Sequence, residues 1–304
     1  MPEEFALAVD VGGTRLRAAL VDREGCVTHR QSLATPADEG AEAVVAAIAR
    51  ACRAVLSESA VAGDLKIGLC APGPLDAKRG IALATPTIRG FTGFPLRQAV
   101  KDAVGLDVAI ENDGPCAALG EWTCGAGRGT SDFVYVTIST GIGGGIVSGG
   151  RLLRGRLGLA GHIGHIPIKP DGGAICFCGH PGCWEAEASG SALQRKARSA
   201  GFSSLENALE RASRDEASAV AFAKAAADDI ALGLVAVIHV LNPQRVVIGG
   251  GVANAFDVLG PLIRPRVDAR LMPPFRGVEI ERSTLGDDTG LIGAAQLVLR
   301  PVQD

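Results

Sequence analysis

The sequence lacks an excess of positive charge. Lysine and arginine number 30 against 33 aspartates and glutamates, the net charge is −3 and the pI is near 6. No basic face is offered for displacing phosphate counterions, so a nucleic-acid partner is not expected. A secretory leader is also missing: the opening MPEEFALAVD carries acids where a signal peptide is basic, and it runs straight into a patterned strand. No apolar run is long enough to span a bilayer. The longest, ALGLVAVIHVL over 231–241, has about half of the ~20 residues required; His239 interrupts it, and it reads as a core helix ended by Pro243. The expectation is a cytoplasmic protein without a membrane partner. Disulfides are not expected in that reducing compartment. Of the eight cysteines, the dispersed Cys26, Cys52, Cys70, Cys116 and Cys124 therefore read as small core hydrophobes. Cys176, Cys178 and Cys183 differ because they lie close together.

Repeats, low-complexity tracts and linkers are absent as well. With 304 residues, 47% of them hydrophobic, the chain suits about two compact domains at a rough ~150 residues each. Apolar segments alternate with Gly-rich turns in FALAVDVGGT, RLRAALVD and CVTHRQSL, which predicts three short strands. Over 38–60 the period changes: Val44, Val45, Ile48, Cys52, Val55 and Leu56 share one face of a helix. Strands are predicted at 65–70 and 107–110, and Gly114-Pro115 opens a helix through Trp122 with proline at the first helical position. FVYVTI and GGIVSGGRLL predict further strands, helices occupy about 188–241, and a last βαβ unit runs from RVVIGGGVANAF to GVEIER. The expected division is a small α/β domain over 1–115, joined by a C-terminal helix over 290–304, and a large α/β domain over 116–289.

Several turns carry chemistry. DVGGTR (10–15) puts a carboxylate at a strand end, followed by two glycines whose backbone N–H groups can approach an anion; a plain β-hairpin is the alternative. STGIGGGI (139–146) repeats this with two hydroxyls and four glycines, and IGGGVAN (248–254) lies between a strand and a helix, where a nucleotide would find exposed backbone. None has the spacing of a P-loop. ENDGP (111–115) places Asp113 at the carboxyl end of a strand, as a helix N-cap or as a general base beside Asn112. Finally, C-x-C-x4-C over 176–183 supplies three thiolates for a tetrahedral zinc; His180 inside the loop and His165, eleven residues before Cys176, both stand within range as the fourth ligand.

Taken in order, DVGGTR, ENDGPCAA, ISTGIGGGI, GLAGHIGH, CFCGHPGCWEAEASG and GDDTGLIGAA resemble the ROK family of bacterial sugar kinases and repressors over almost the whole chain. The resemblance implies the actin-like (ribonuclease H-like) ATPase fold, two α/β domains around a cleft, a hexose and ATP with Mg2+ as reactants, and a homodimer. It implies that Asp113 is the base for the sugar 6-hydroxyl and that Asn112, His162, His165, Glu185 and Gly73 line the sugar. Asp10, Gly12, Gly13 and Thr14 form the first phosphate turn. Thr140, Gly141, Gly143 and Gly144 form the second, and Gly249, Gly250 and Gly251 lie by the adenosine. The family pattern selects His165 as the zinc ligand with Cys176, Cys178 and Cys183. Four protein ligands leave no open position, so the metal is structural and holds the loop that carries Glu185.

The sequence departs from that pattern at three points. His162 stands where glucokinase-like members carry glutamate, and AGHIGH is similar to the N-acetylmannosamine kinases of the family. Thr87 replaces the asparagine that often follows proline, and Arg15 replaces the usual lysine with the charge kept. The substrate expected is therefore an amino or N-acylamino hexose, with glucose as the alternative. A sugar-responsive repressor would need a helix-turn-helix before the first turn, and only nine residues precede Asp10. A silent sugar-binding protein is disfavoured by Asp10, Asp113 and both Gly turns.

Overall fold

The computed structural model describes residues 4–59, 65–83 and 87–300. Three strands come first, β1 (Phe5–Val11), β2 (Arg15–Asp22) and β3 (Val27–Ala34), then α1 (Ala41–Glu58) and β4 (Ile67–Ala71). A short ribbon, β5 (Leu75–Asp76) and β6 (Ile81–Ala82), leads to α2 (Leu96–Val104), β7 (Val108–Asn112) and α3 (Asp113–Cys124). After β8 (Phe133–Ile138), β9 (Ile142–Ser148) and β10 (Arg151–Leu152) come α4 (Trp184–Ala188), α5 (Gly190–Ser199), α6 (Leu205–Ala212) and α7 (Ala217–Leu241). The chain closes with β11 (Arg245–Gly249), α8 (Phe256–Asp268), β12 (Glu279–Arg282) and α9 (Thr289–Leu299). Among the described residues, no helix is long and apolar enough to cross a membrane.

Two five-stranded sheets result, ordered β3-β2-β1-β4-β7 and β10-β9-β8-β11-β12. In the first, β1 to β3 are antiparallel while β4 and β7 run parallel to β1. In the second, β10 is antiparallel to β9, and β11 and β12 continue parallel to β8. The two orders are the same pattern, so the topology repeats although no sequence repeat is visible. The central parallel strand β4 reads IGLCA and is buried at every residue, as a strand covered on both faces must be. Along α1, Val44, Val45, Ile48, Cys52 and Val55 are buried as the helical period predicts, and Leu56 is half-buried against the same cluster.

The chain divides into one unit of residues 1–129, 145–161 and 284–304 and a second of 130–144 and 162–283. This differs from a cut at residue 115. Helix α3 stays with the first unit because it crosses α9 at backbone contact: a Cβ on Gly120 would stand 2.7 Å from the Thr289 carbonyl, and one on Gly293 only 1.8 Å from that of Cys116. Only glycine permits that approach. Other corrections are local. Asn112 is the N-cap and Asp113 the first residue of α3, so Pro115 is its third residue and not its first. Cys26 is exposed and Cys124 half-buried, whereas Cys52, Cys70 and Cys116 are buried as expected. The C-terminal helix ends at Leu299, and residues 301–304 of the expected helix lie outside the described residues.

Candidate active site

In the first unit, the turn from β1 to β2 is a hairpin in which Gly12 N–H donates to the Arg15 carbonyl at 2.8 Å. Gly13 and Thr14 at its tip are exposed. The hairpin alternative thus holds, and it leaves the tip open to an anion. Asp10, at the end of β1, pairs with Arg17, whose other nitrogen donates to the Asp287 carbonyl at 2.6 Å. That pairing uses Asp10 Oδ2.

The segment at the end of β7 is built differently from the sequence expectation. Asp113 is exposed, and its Oδ1 accepts the Gly114 N–H at 2.7 Å at the start of α3. A helix N-terminus favours the negative charge there. Asn112 is only 2% exposed. Its Oδ1 accepts the Leu75 N–H at 2.8 Å, and its Nδ2 donates to the carbonyls of Leu75 and Gly158 at 3.1 and 3.2 Å. The carboxamide is thus committed to β5 and to the turn at Gly158. Gly73 serves the same arrangement, because a Cβ there would stand 2.3 Å from Asn112 Oδ1. Sequence reasoning passed over Glu111, a fully buried carboxylate that meets Arg154 Nε at 2.8 Å. A charged residue directly after the apolar run Val108–Ile110 was the available signal.

In the second unit, the glycines after β8 have separate duties. Thr140 is exposed at the tip of the turn. Gly144 packs against the Tyr135 carbonyl and Ile163, Gly143 has room beside Thr137, and Gly141 faces Glu185, whose Oε2 would stand 2.3 Å from an added Cβ. The same Oε2 accepts the Ile142 N–H at 2.8 Å. Glu185 therefore holds the second Gly turn with one oxygen. On the sugar-contacting role that the family resemblance implies for Glu185, replacing Gly141 by alanine is expected to displace that carboxylate and raise the sugar KM about tenfold, the scale of one lost hydrogen bond to a charged group. Steady-state kinetics with sugar varied checks this; an effect confined to the ATP KM would contradict it.

Glu185 lies two residues past Cys183, on α4. Trp184 between them is fully buried and lies over Gly233 of α7, where a Cβ would stand 2.0 Å from the indole. Beside α4, the ligand atoms of His165, Cys176, Cys178 and Cys183 all lie within 4.8 Å of one another. His165 Nδ1 is 3.6 Å from Cys176 Sγ, and Cys178 Sγ is 3.6 Å from Cys183 Sγ. Zinc–sulfur bonds of ~2.3 Å at tetrahedral angles put sulfurs about 3.8 Å apart, so the set fits zinc. His165, and not His180, completes it. Burial pushes Cys183 up to about 12, while the His180 backbone N–H lowers Cys178. Glu187, missed in the sequence, braces the loop: it accepts the Ala174 N–H at 2.6 Å and pairs with Lys196 at 2.8 Å, and Lys196 also meets Asp229 at 2.8 Å. His162 is exposed, and its carbonyl accepts the His165 N–H at 3.2 Å.

A cavity of about 750 Å³ opens in this unit between Ser139, Thr140 and Gly251 at one side and α5 and α6 at the other. Leu205, Leu209, Val252 and Val258 give it apolar walls. Such a size and lining suit a cofactor-sized ligand. Of the three glycines expected there, only Gly251 borders it. Gly249 packs against the Tyr135 hydroxyl, and Gly250 turns the chain at φ +80° against the Ile138 carbonyl.

The ROK family profile matches residues 6–301. A glucokinase of Halalkalibacterium halodurans is 35% identical over 98% of this chain and 96% of its own. An N-acetylmannosamine kinase of Citrobacter koseri is 34% identical over 96% of this chain and 97% of its own. The crystal structure of a ROK family glucokinase from Streptomyces griseus, in complex with glucose and AMPPNP, superposes with a TM-score of 0.81 at 33% identity, over 97% of this chain and 99% of that one. The fold is the actin-like ATPase fold expected from the motifs. With a family match spanning nearly every residue and both turns in place, the chain belongs to the ROK family.

Proposed function

We propose that the chain transfers the γ-phosphoryl group of ATP to the 6-hydroxyl of a hexose, and that it prefers an amino or N-acylamino sugar such as N-acetylmannosamine to glucose. The chain is a sugar kinase; the observation that carries the site assignment is the solvent-exposed carboxylate of Asp113 at the strand–helix junction, with Oδ1 accepting the Gly114 N–H. Phosphoryl transfer leaves the protein little covalent work beyond positioning and charge stabilisation. Asp113 takes the 6-hydroxyl proton as that oxygen bonds to the γ-phosphorus, ADP leaves, and the product is the sugar 6-phosphate.

The other residues hold and orient. Asn112, committed to Leu75 of β5 and to Gly158, serves the sugar site as a fixed wall beside Asp113. Glu185 Oε1 and His165 Nε2 are the atoms left for sugar hydroxyls, since Glu185 Oε2 holds Ile142 and His165 Nδ1 faces the thiol cluster. The exposed tips at Gly13–Thr14 and at Thr140 take the phosphates, and the cavity beside Gly251 takes the adenosine. Asp10 has Oδ1 clear of Arg17, which suits a water-shelled Mg2+. When bound, that ion neutralises charge on the phosphates. His165, Cys176, Cys178 and Cys183 hold a structural zinc that supplies a fixed anchor for α4.

His162 supports the substrate preference. A glutamate there offers only acceptors to sugar hydroxyls, whereas neutral imidazole offers one donor and one acceptor and can donate to an acyl oxygen. The test is kcat/KM for glucose and N-acetylmannosamine in the parent and in His162→Glu. The parent is expected to favour N-acetylmannosamine and the variant to move toward glucose. A parent that prefers glucose, or an unchanged ratio, makes His162 only pocket wall and the protein a glucokinase.

A further inference from the structure

The ion pair between Glu111 and Arg154 is used by none of the steps above. We propose that this pair is the positioning device for Asp113 and that catalysis depends on its two charges being balanced; the inference rests on the sugar-kinase reading. Glu111 is the last charged residue before Asn112 and Asp113, and it has no exposed surface. One of its oxygens, Oε1, accepts the Asn112 N–H at 3.0 Å and Asn112 Nδ2 at 3.3 Å. The other is held by Arg154 Nε at 2.8 Å. The main chain one residue before Asp113 is therefore tied to a carboxylate that is itself tied to a guanidinium.

Arg154 comes from the segment after β10, and four residues later the Gly158 carbonyl accepts from Asn112 Nδ2 at 3.2 Å. This segment thus grips the end of β7 twice, once by charge and once by backbone. An exposed ion pair would matter little. Here Glu111 is fully buried and Arg154 has a side-chain exposure of 24%, so removing Arg154 leaves a buried carboxylate without its counter-charge. Relaxation of that charge must move the strand end, and a displacement of about 1 Å in a catalytic group can cost ~10²-fold in rate.

The experiment compares Arg154→Met, Glu111→Gln, the double variant and Arg154→Lys with the full-length parent, by thermal melting and by kcat and KM for sugar and ATP. Arg154→Met is expected to lower kcat about 10–100-fold while the ATP KM stays within about twofold. The double variant is expected to recover most of that loss, because neither charge is stranded. A pair that only stabilises the fold would lower Tm and leave kcat of the folded protein unchanged. The proposal is overturned if folded Arg154→Met turns over within about twofold of the parent, or if the double variant is no faster than Arg154→Met. Should Arg154→Met fail to fold, Arg154→Lys and Glu111→Gln decide: the lysine keeps the two charges balanced and is expected to turn over within a few-fold of the parent, whereas Glu111→Gln unbalances them and is expected to lose kcat about tenfold or more at unchanged ATP KM; Glu111→Gln as fast as Arg154→Lys refutes the proposal. A parent inactive on every hexose removes the sugar-kinase reading, and this proposal with it.

Discussion

Replacement of Asp113 by asparagine is expected to lower kcat by ~10²–10⁴, the range for losing a positioned general base, with sugar affinity held within a small factor. The amide keeps the shape of the carboxylate. It can still accept the Gly114 N–H that now meets Asp113 Oδ1 at 2.7 Å, so the start of α3 stays in place. What it lacks is basicity toward the 6-hydroxyl proton. An interaction needed mainly in the transition state is lost from kcat and kcat/KM together, not from KM alone. A variant that keeps more than about half of the parent turnover would remove Asp113 from the role of base.

The second large effect concerns the thiol cluster. Elemental analysis is expected to find one zinc per chain in protein purified without chelator, and Cys178→Ser to lose it. Cys178 is the exposed member of the set, so its replacement disturbs packing least. Loss of the metal frees the chain at Cys183, and α4 begins at the next residue. Glu185 then loses its fixed place, and with it the bond to the Ile142 N–H. The sugar KM is expected to rise ~10–100-fold, in keeping with ~1.5–3 kcal/mol for a hydrogen bond to a charged group. The melting temperature should also fall, since a structural zinc contributes to folding free energy. Metal-free parent protein with full activity would end the zinc assignment.

Much of the framework is legible before any coordinates. Strands β1, β2 and β8 fall where alternating or continuous apolar residues are bounded by Gly-rich turns, and α1 follows the helical period of Val44, Ile48 and Val55. Such signals are local, so one sequence carries them. The local spacing of C-x-C-x4-C likewise carries three of the four cluster residues; spacing leaves His165 and His180 open, the family pattern selects His165, and the fold brings its ring to the thiols. Contacts between distant segments are not legible. Glycines at 144 and 249 read as anion cradles by composition, yet they make room for β8 and Tyr135. Asn112 reads as a residue facing a ligand, and its amide is consumed by Leu75 and Gly158. The partner that neutralises Glu111 lies 43 positions away, and the α3–α9 crossing that sets the unit boundary joins helices that begin at Asp113 and Thr289. In each case pattern and propensity are satisfied by several neighbours, and tertiary packing selects one.

The central claim is most directly tested by ATP-dependent phosphate transfer to a panel of glucose, mannose, glucosamine, N-acetylmannosamine, N-acetylglucosamine and kanosamine, with the product's phosphate position assigned and Asp113→Asn run in parallel. The predicted result is a sugar 6-phosphate formed fastest from an amino or N-acylamino hexose, and nearly abolished in the variant. No transfer to any of the six sugars, or equal transfer by parent and variant, would contradict it.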